Sequence, residues 1–252
     1  MRGFRWDIFI EFYFKVLPYI RVTLIYVVSS VFFGFVLGLG IAMLRLSKRR
    51  VLRGIGSVYV TILRSVPSVV LLFIVYYGLP QVLRENFGIE MGDVDTILYV
   101  IVTFSLLLSS PMSEIIRTSY LAVPSGQYEA AVMVGLTPIQ AIRRVVFPQG
   151  FIIALPNLGN IFIFMMKEGA LAYTIGLHDV LGRGMYLSGL KVNIYNFEMY
   201  LALALIYWPC TLILEKIFKV WERRLRDKND HNNDKTENKN VKRSRKQRKV
   251  AC

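Results

Sequence analysis

Ser125-Gly-Gln-Tyr-Glu129-Ala130-Ala131-Val-Met-Val-Gly135-Leu-Thr137-Pro138-Ile-Gln140 is a mixed polar stretch standing between long apolar runs. Its local signals predict two short helices joined by a fixed turn. Ser125 is placed to cap the first helix, which runs through Glu129, Ala130 and Ala131. Gly135 suits the left-handed residue that ends it. Thr137 is placed to cap the second, with Pro138 at its first position and Gln140 completing a capping box. Two capped helices in a loop flanked by apolar runs make a stiff element suited to docking.

Working outward, the apolar runs are long enough to leave water altogether. About 20 apolar residues are needed to cross a bilayer as a helix. Five stretches qualify, at about 19–44, 58–79, 94–113, 150–166 and 199–218. The expected fold class is therefore all-α and integral to the membrane. Residues 1–220 form the membrane domain, and 221–252 form a basic, disordered tail that touches at most anionic lipid. Gly34 and Gly38 stand at a spacing that lets a second helix approach closely. The stretch from Gly169 to Leu190, with Asp179, Arg183 and five glycines, reads as a short helix or re-entrant turn at one face.

The 252 residues carry a net charge of +14, and 12 of the 31 Lys and Arg lie between Glu222 and Cys252. That placement fits charge held at a membrane face, and no nucleic-acid-binding motif accompanies it. The connection 45–57 holds Arg45, Lys48, Arg49, Arg50 and Arg53 with no acid, whereas 81–93 sets Arg84 against Glu85, Glu90 and Asp93. The positive-inside rule puts 45–57, 114–148 and the tail in the cytoplasm, and the N-terminus outside.

Catalytic chemistry is not legible. Cys210 and Cys252 suit neither a metal site nor a disulfide, and His178 and His231 stand far apart. A phosphate-binding glycine loop ending in Lys-Ser or Lys-Thr is missing. The chain is expected to be non-catalytic and free of cofactors. The rival reading is an ion-coupled secondary transporter or channel. It calls for acids within the spans, and no Asp or Glu is central in these five.

Seen between two spans, the opening stretch resembles the cytoplasmic signature of permeases of binding-protein-dependent ABC importers. That signature is Glu-Ala-Ala, three residues, Gly, nine residues, Ile, one residue, Leu-Pro. Here Glu129-Ala130-Ala131 leads at the same spacing to Gly135, then to Val145 and Phe147-Pro148. Further segments are similar to the polar amino-acid permease family. They are Arg64-Ser65-Val66-Pro67, Glu114 with Arg117, Val123-Pro124-Ser125-Gly126-Gln127, Phe147-Pro148-Gln149 and Pro156-Asn157-Leu158-Gly159-Asn160. Lys167-Glu168-Gly169-Ala170-Leu171 departs from the family's Lys-x-Thr-Ser-Leu by losing both hydroxyls. A glutamine common in the second span is Leu71 here. Leu171-Ala172-Tyr173-Thr174-Ile175-Gly176 looks most like cystine-type permeases.

The resemblance implies a five-helix type I importer permease of the bacterial cytoplasmic membrane, with a coupling helix in the cytoplasmic loop. It implies two ATP-binding cassette ATPase subunits that hydrolyse ATP on their own chains. A second permease copy or homologue and an external substrate-binding protein that delivers the amino acid complete the set. Glu129, Ala130, Ala131, Gly135 and Pro148 become the coupling residues, with Gly135 and Pro148 fixing bends. Glu114, Arg117, Gly126 and Gln127 become family-like loop positions.

Overall fold

The computed structural model describes residues 3–92 and 94–250, with side chains as far as residue 227. Helix accounts for nearly all of it, and no strand occurs among the described residues. Helix α1 (Trp6–Val16) passes through a single 3-10 turn at Leu17–Tyr19 into α2 (Ile20–Leu46). Pro18, which lacks an N–H, sits in that tightened turn. Trp6–Leu46 is the first of five elements long and apolar enough to cross a membrane. The others are Ser68–Phe87, Thr96–Leu121, Pro138–Ile175 and Asn196–Asp227.

The second crossing begins later than its sequence suggests. Residues 58–79 do not form one helix. Helix α3 (Arg50–Ser65) ends at Val66, whose backbone is extended (φ −91°, ψ 125°), and α4 (Ser68–Phe73) starts after Pro67. The ring of Pro67 pushes the preceding residue out of the helical region. From α4 the chain continues through a π turn, Ile74–Gly78, into α5 (Leu79–Phe87).

The third crossing, α6 (Thr96–Leu121), is capped by Asp95, which accepts from the Ile97 N–H at 3.0 Å. It runs past the expected end at residue 113, so Glu114 and Arg117 are helical and not part of the loop. Pro111 is tolerated inside it, and nothing else in the sequence stops a helix before Val123-Pro124. Helices α7 (Ser125–Met133) and α8 (Pro138–Ala141) follow. Then α8 continues through a π turn, Ile142–Val146, into α9 (Phe147–Glu168) and a 3-10 stretch, Gly169–Ile175. The expected second loop helix is thus the first turn of the fourth crossing. Pro148 does not end it. A wider π turn lies two residues before Pro148, as one does before Pro80. It gives the proline ring room that a regular turn lacks.

Helix α10 (Val180–Leu190) is the short element expected between the last two crossings. Helix α11 (Asn196–Val250) holds the fifth crossing and continues beyond it in backbone. Lys, Arg and Glu are good helix formers, and extending a helix already nucleated costs little.

Packing centres on α2 and α6. Gly34 lies against Leu108 and Gly38 against Met112, so the two helices run in the same direction. A Cβ on Gly38 would fall 2.6 Å from the Met112 Cβ and 3.0 Å from the Ser109 carbonyl oxygen. The contact foreseen for this glycine pair is therefore made, at backbone range. Tyr26, Val27, Phe104, Leu108, Met112, Met165 and Met166 form the buried core around it. A second cluster packs Phe12 and Val16 of α1 on Met199, Ala202, Leu203 and Ile206 of α11.

Asp179, outside the five crossing helices, ties α10 to α2. Its Oδ1 accepts from the Gly182 N–H at 2.8 Å and its Oδ2 accepts from the Tyr26 hydroxyl at 3.1 Å. Tyr26 lies directly over Gly169, where a Cβ would fall 2.3 Å from the ring.

Two outcomes follow from these contacts. Gly38→Leu forces α2 from α6 and should cost about 1–3 kcal/mol or more, read as a lowered unfolding temperature in detergent. Gly40→Leu, which meets nothing within 4 Å, is its control. Equal losses in the two variants would contradict the packing described. The second outcome concerns Asp179. Burial pushes its carboxyl up from 3.8 to about 6. The folded chain then holds a proton that the unfolded chain has released. The group's stabilisation is therefore complete below pH 3.8 and is lost as pH rises through about 6. Asp179→Asn should flatten the stability profile across that window, and superimposable profiles would refute the assignment.

Candidate functional site: the loop between the third and fourth crossings

Residues 122–146 leave α6, turn, and enter α9. Pro124, extended at φ −56° and ψ 133°, occupies the cap position of α7, and Ser125 is the first helical residue with no side-chain cap bond formed. The expected serine cap is displaced by one residue because the proline already supplies the non-helical entry. The other end of α7 is as the sequence predicts. Gly135 is left-handed at φ +91°, its N–H donates to Val132 O at 2.9 Å, and the Leu136 N–H donates to Ala131 O at 3.2 Å. Thr137 and Gln140 form the capping box. The Gln140 N–H reaches Thr137 Oγ1 at 3.3 Å, and Gln140 Oε1 accepts from the Thr137 N–H at 3.0 Å.

Exposure separates the signature residues. Glu129, Ala130, Gly135 and Pro148 face outward, as do Gly126 and Gln127. Ala131 does not: at 6% exposure it is packed into the chain's own fold. Met133, Val134 and Ile139 flank the glycine turn at 87%, 80% and 78% exposure. Together they leave apolar surface exposed beside the turn. None of these three is a capping or signature position, so the sequence did not single them out. The signal that could have found them is the unbroken apolar run Val132-Met133-Val134 beside a glycine.

The loop is pinned at its base. Gly150 of α9 lies against α6, where its Cβ would sit 3.4 Å from the Ser119 carbonyl oxygen. One turn deeper, Glu114 is held by Arg117 at 2.5 Å and by Arg45 at 2.6 Å. Arg45 comes from the end of α2, a partner that sequence spacing could not supply.

Because residues 167–175 continue the fourth crossing instead of leaving it, Glu168 falls inside that element, toward its end and not at its centre. Its Oε1 accepts from the Ser68 hydroxyl at the start of α4.

The family described as the binding-protein-dependent transport system inner membrane component matches residues 30–227. The L-cystine transport system permease protein TcyL of Bacillus subtilis (strain 168) is 37% identical over 208 residues, covering 82% of this chain and 86% of the relative. The probable amino-acid permease protein YxeN of the same organism is 34% identical over 224 residues, covering 88% and 96%. A crystal structure of an amino acid ABC transporter with histidines contains a chain that superposes with a TM-score of 0.75 at 30% identity. It covers 88% of this chain and 100% of that one. With five crossing helices in the same arrangement, this chain belongs to the binding-protein-dependent transport system inner membrane components, as an amino-acid ABC importer permease.

Proposed function

We propose that this chain lines the translocation pathway of an ATP-driven amino-acid importer and that residues 125–146 are the dock for a separate ATPase. The observation that carries the reading is the exposed apolar patch Met133, Val134 and Ile139, set beside Glu129 on a loop stiffened by Gly135 and the Thr137 box. Side chains held by caps and a left-handed turn lose little freedom when a partner covers them. The partners are two ATPase subunits, a second permease copy or homologue, and an external binding protein. Closure of the ATPases on ATP draws the two loops together and opens the cavity outward. Hydrolysis resets it inward. Non-catalytic itself, the chain transmits this movement.

L-cystine or another polar amino acid is the proposed substrate. The similarity to TcyL and the Leu171–Gly176 stretch support cystine. Glu168, toward the end of the fourth crossing, is a feature that an ion-coupled carrier would also use. Uptake that persists in vesicles without any ATPase would favour that reading.

The decisive variant is Gly135→Asp. A left-handed non-glycine residue costs roughly 1–2 kcal/mol, too little to unfold five packed helices but enough to misplace a dock. No neighbour lies within 4 Å of a Cβ here, so the cost is in the backbone and the added charge. The variant should insert normally, lose its ATPase on co-purification, and fail to import labelled cystine. Normal co-purification with normal uptake would remove the loop from the coupling path.

The orientation places the N-terminus outside and the tail in the cytoplasm, supported by the acid-free basic connection 45–57. In intact cells an impermeant thiol reagent should label a cysteine introduced at Glu90, and spare Cys252. Equal labelling of the two would reverse or abolish this topology.

A further inference from the structure

We propose that Arg45, Glu114 and Arg117 form a clamp that transmits movement of the docking loop to α2, in the first crossing, and to α3 packed beside it. The inference rests on the reading of residues 125–146 as the ATPase dock. Both oxygens of Glu114 are committed. Its Oε1 meets Arg117 Nη2 at 2.5 Å, and its Oε2 meets Arg45 Nη1 at 2.6 Å and Arg117 Nε at 3.2 Å. Arg45 also donates to Ser113 Oγ at 3.3 Å, which fixes the guanidinium to two successive residues of α6. From the far side, Gly56 of α3 closes on the same arginine: a Cβ there would fall 2.7 Å from the Arg45 Cγ and 3.3 Å from the Leu44 Cβ. Arg45 at the end of α2 therefore joins α6 through one carboxylate, and α3 packs on the same arginine at Gly56.

Position gives the clamp its use. Helix α6 runs only from Glu114 to Leu121 before the loop, and Gly150 closes the other end of the loop against Ser119. A push on the loop thus reaches α6 and α9 through covalent chain and backbone packing. It reaches α2 and α3 at this end through Arg45. The side chains of Arg45 and Glu114 are 15% and 29% exposed, so water screens the pair less than it screens a surface pair. These are positioning residues; none of them belongs to the exposed surface a partner would cover.

The test uses the full complex, with its ATPase and binding protein, in proteoliposomes. The readout is labelled L-cystine imported per ATP hydrolysed, with labelled arginine as the probe if the wild type does not take up cystine. Arg45→Met leaves Glu114 still paired with Arg117, so no charge is orphaned. It should keep its ATPase on co-purification and keep hydrolysing ATP, while import per ATP falls about fivefold or more, the scale of an ordinary coupling between sites. Arg45→Lys, which restores the charge but not the fork, should recover much of the ratio. The double variant R45M/E114M removes the pair altogether and should remain uncoupled at wild-type abundance. Three results would overturn the clamp: an unchanged ratio in Arg45→Met, loss of ATPase from that variant, or a double variant that couples normally. Failure of the docking reading is distinct, because it shows as Gly135→Asp retaining both ATPase and uptake.

Discussion

Inside a bilayer, burying apolar surface against another helix gains little, because lipid is as apolar as leucine. What holds two crossings together is close approach, and here that means Gly34 and Gly38 of α2 lying on α6. The facing side of α6 is built to match. Ser105 and Ser109 return their hydroxyls to the carbonyls of Ile101 and Leu106 within the helix, so the small side chains bury no unpaired donor. Tyr26, Phe104, Leu108 and Met112 then fill the space above and below. The remaining crossings are arranged around this pair.

Prolines mark where that arrangement departs from straight helices, and they are accommodated in three ways. Pro67 breaks the chain between α3 and α4, whereas Pro80 and Pro148 follow π turns and Pro111 sits within α6. The Ser68 hydroxyl, just past the break, bonds to Glu168 of the fourth crossing. The carboxylate and the broken helix are therefore two halves of one arrangement.

On the loop, stiffness and exposure come from different sources. Caps and the left-handed Gly135 are local, decided by residues at most four apart. That Met133, Val134 and Ile139 are exposed while Ala131 is buried depends on how α7 lies over the rest of the fold. The same division applies at the base of the loop, where Arg117 meets Glu114 within one turn but Arg45 arrives from another crossing.

By itself the sequence determined the class of the protein, the existence of five apolar crossings, the glycine contact face of α2 and the turn at Gly135. All of these rest on composition, on helical spacing or on the backbone freedom of one residue, so neighbours along the chain suffice to specify them. The tertiary structure alone decided where the second crossing begins, that Glu114 and Arg117 belong to a helix, and that Glu168 continues the fourth crossing and meets Ser68. It also decided that Ala131 is buried and that Arg45 closes on Glu114. Each of these depends on which helices lie side by side, and a bilayer that rewards close packing over apolarity leaves no one-dimensional pattern from which to read those pairings.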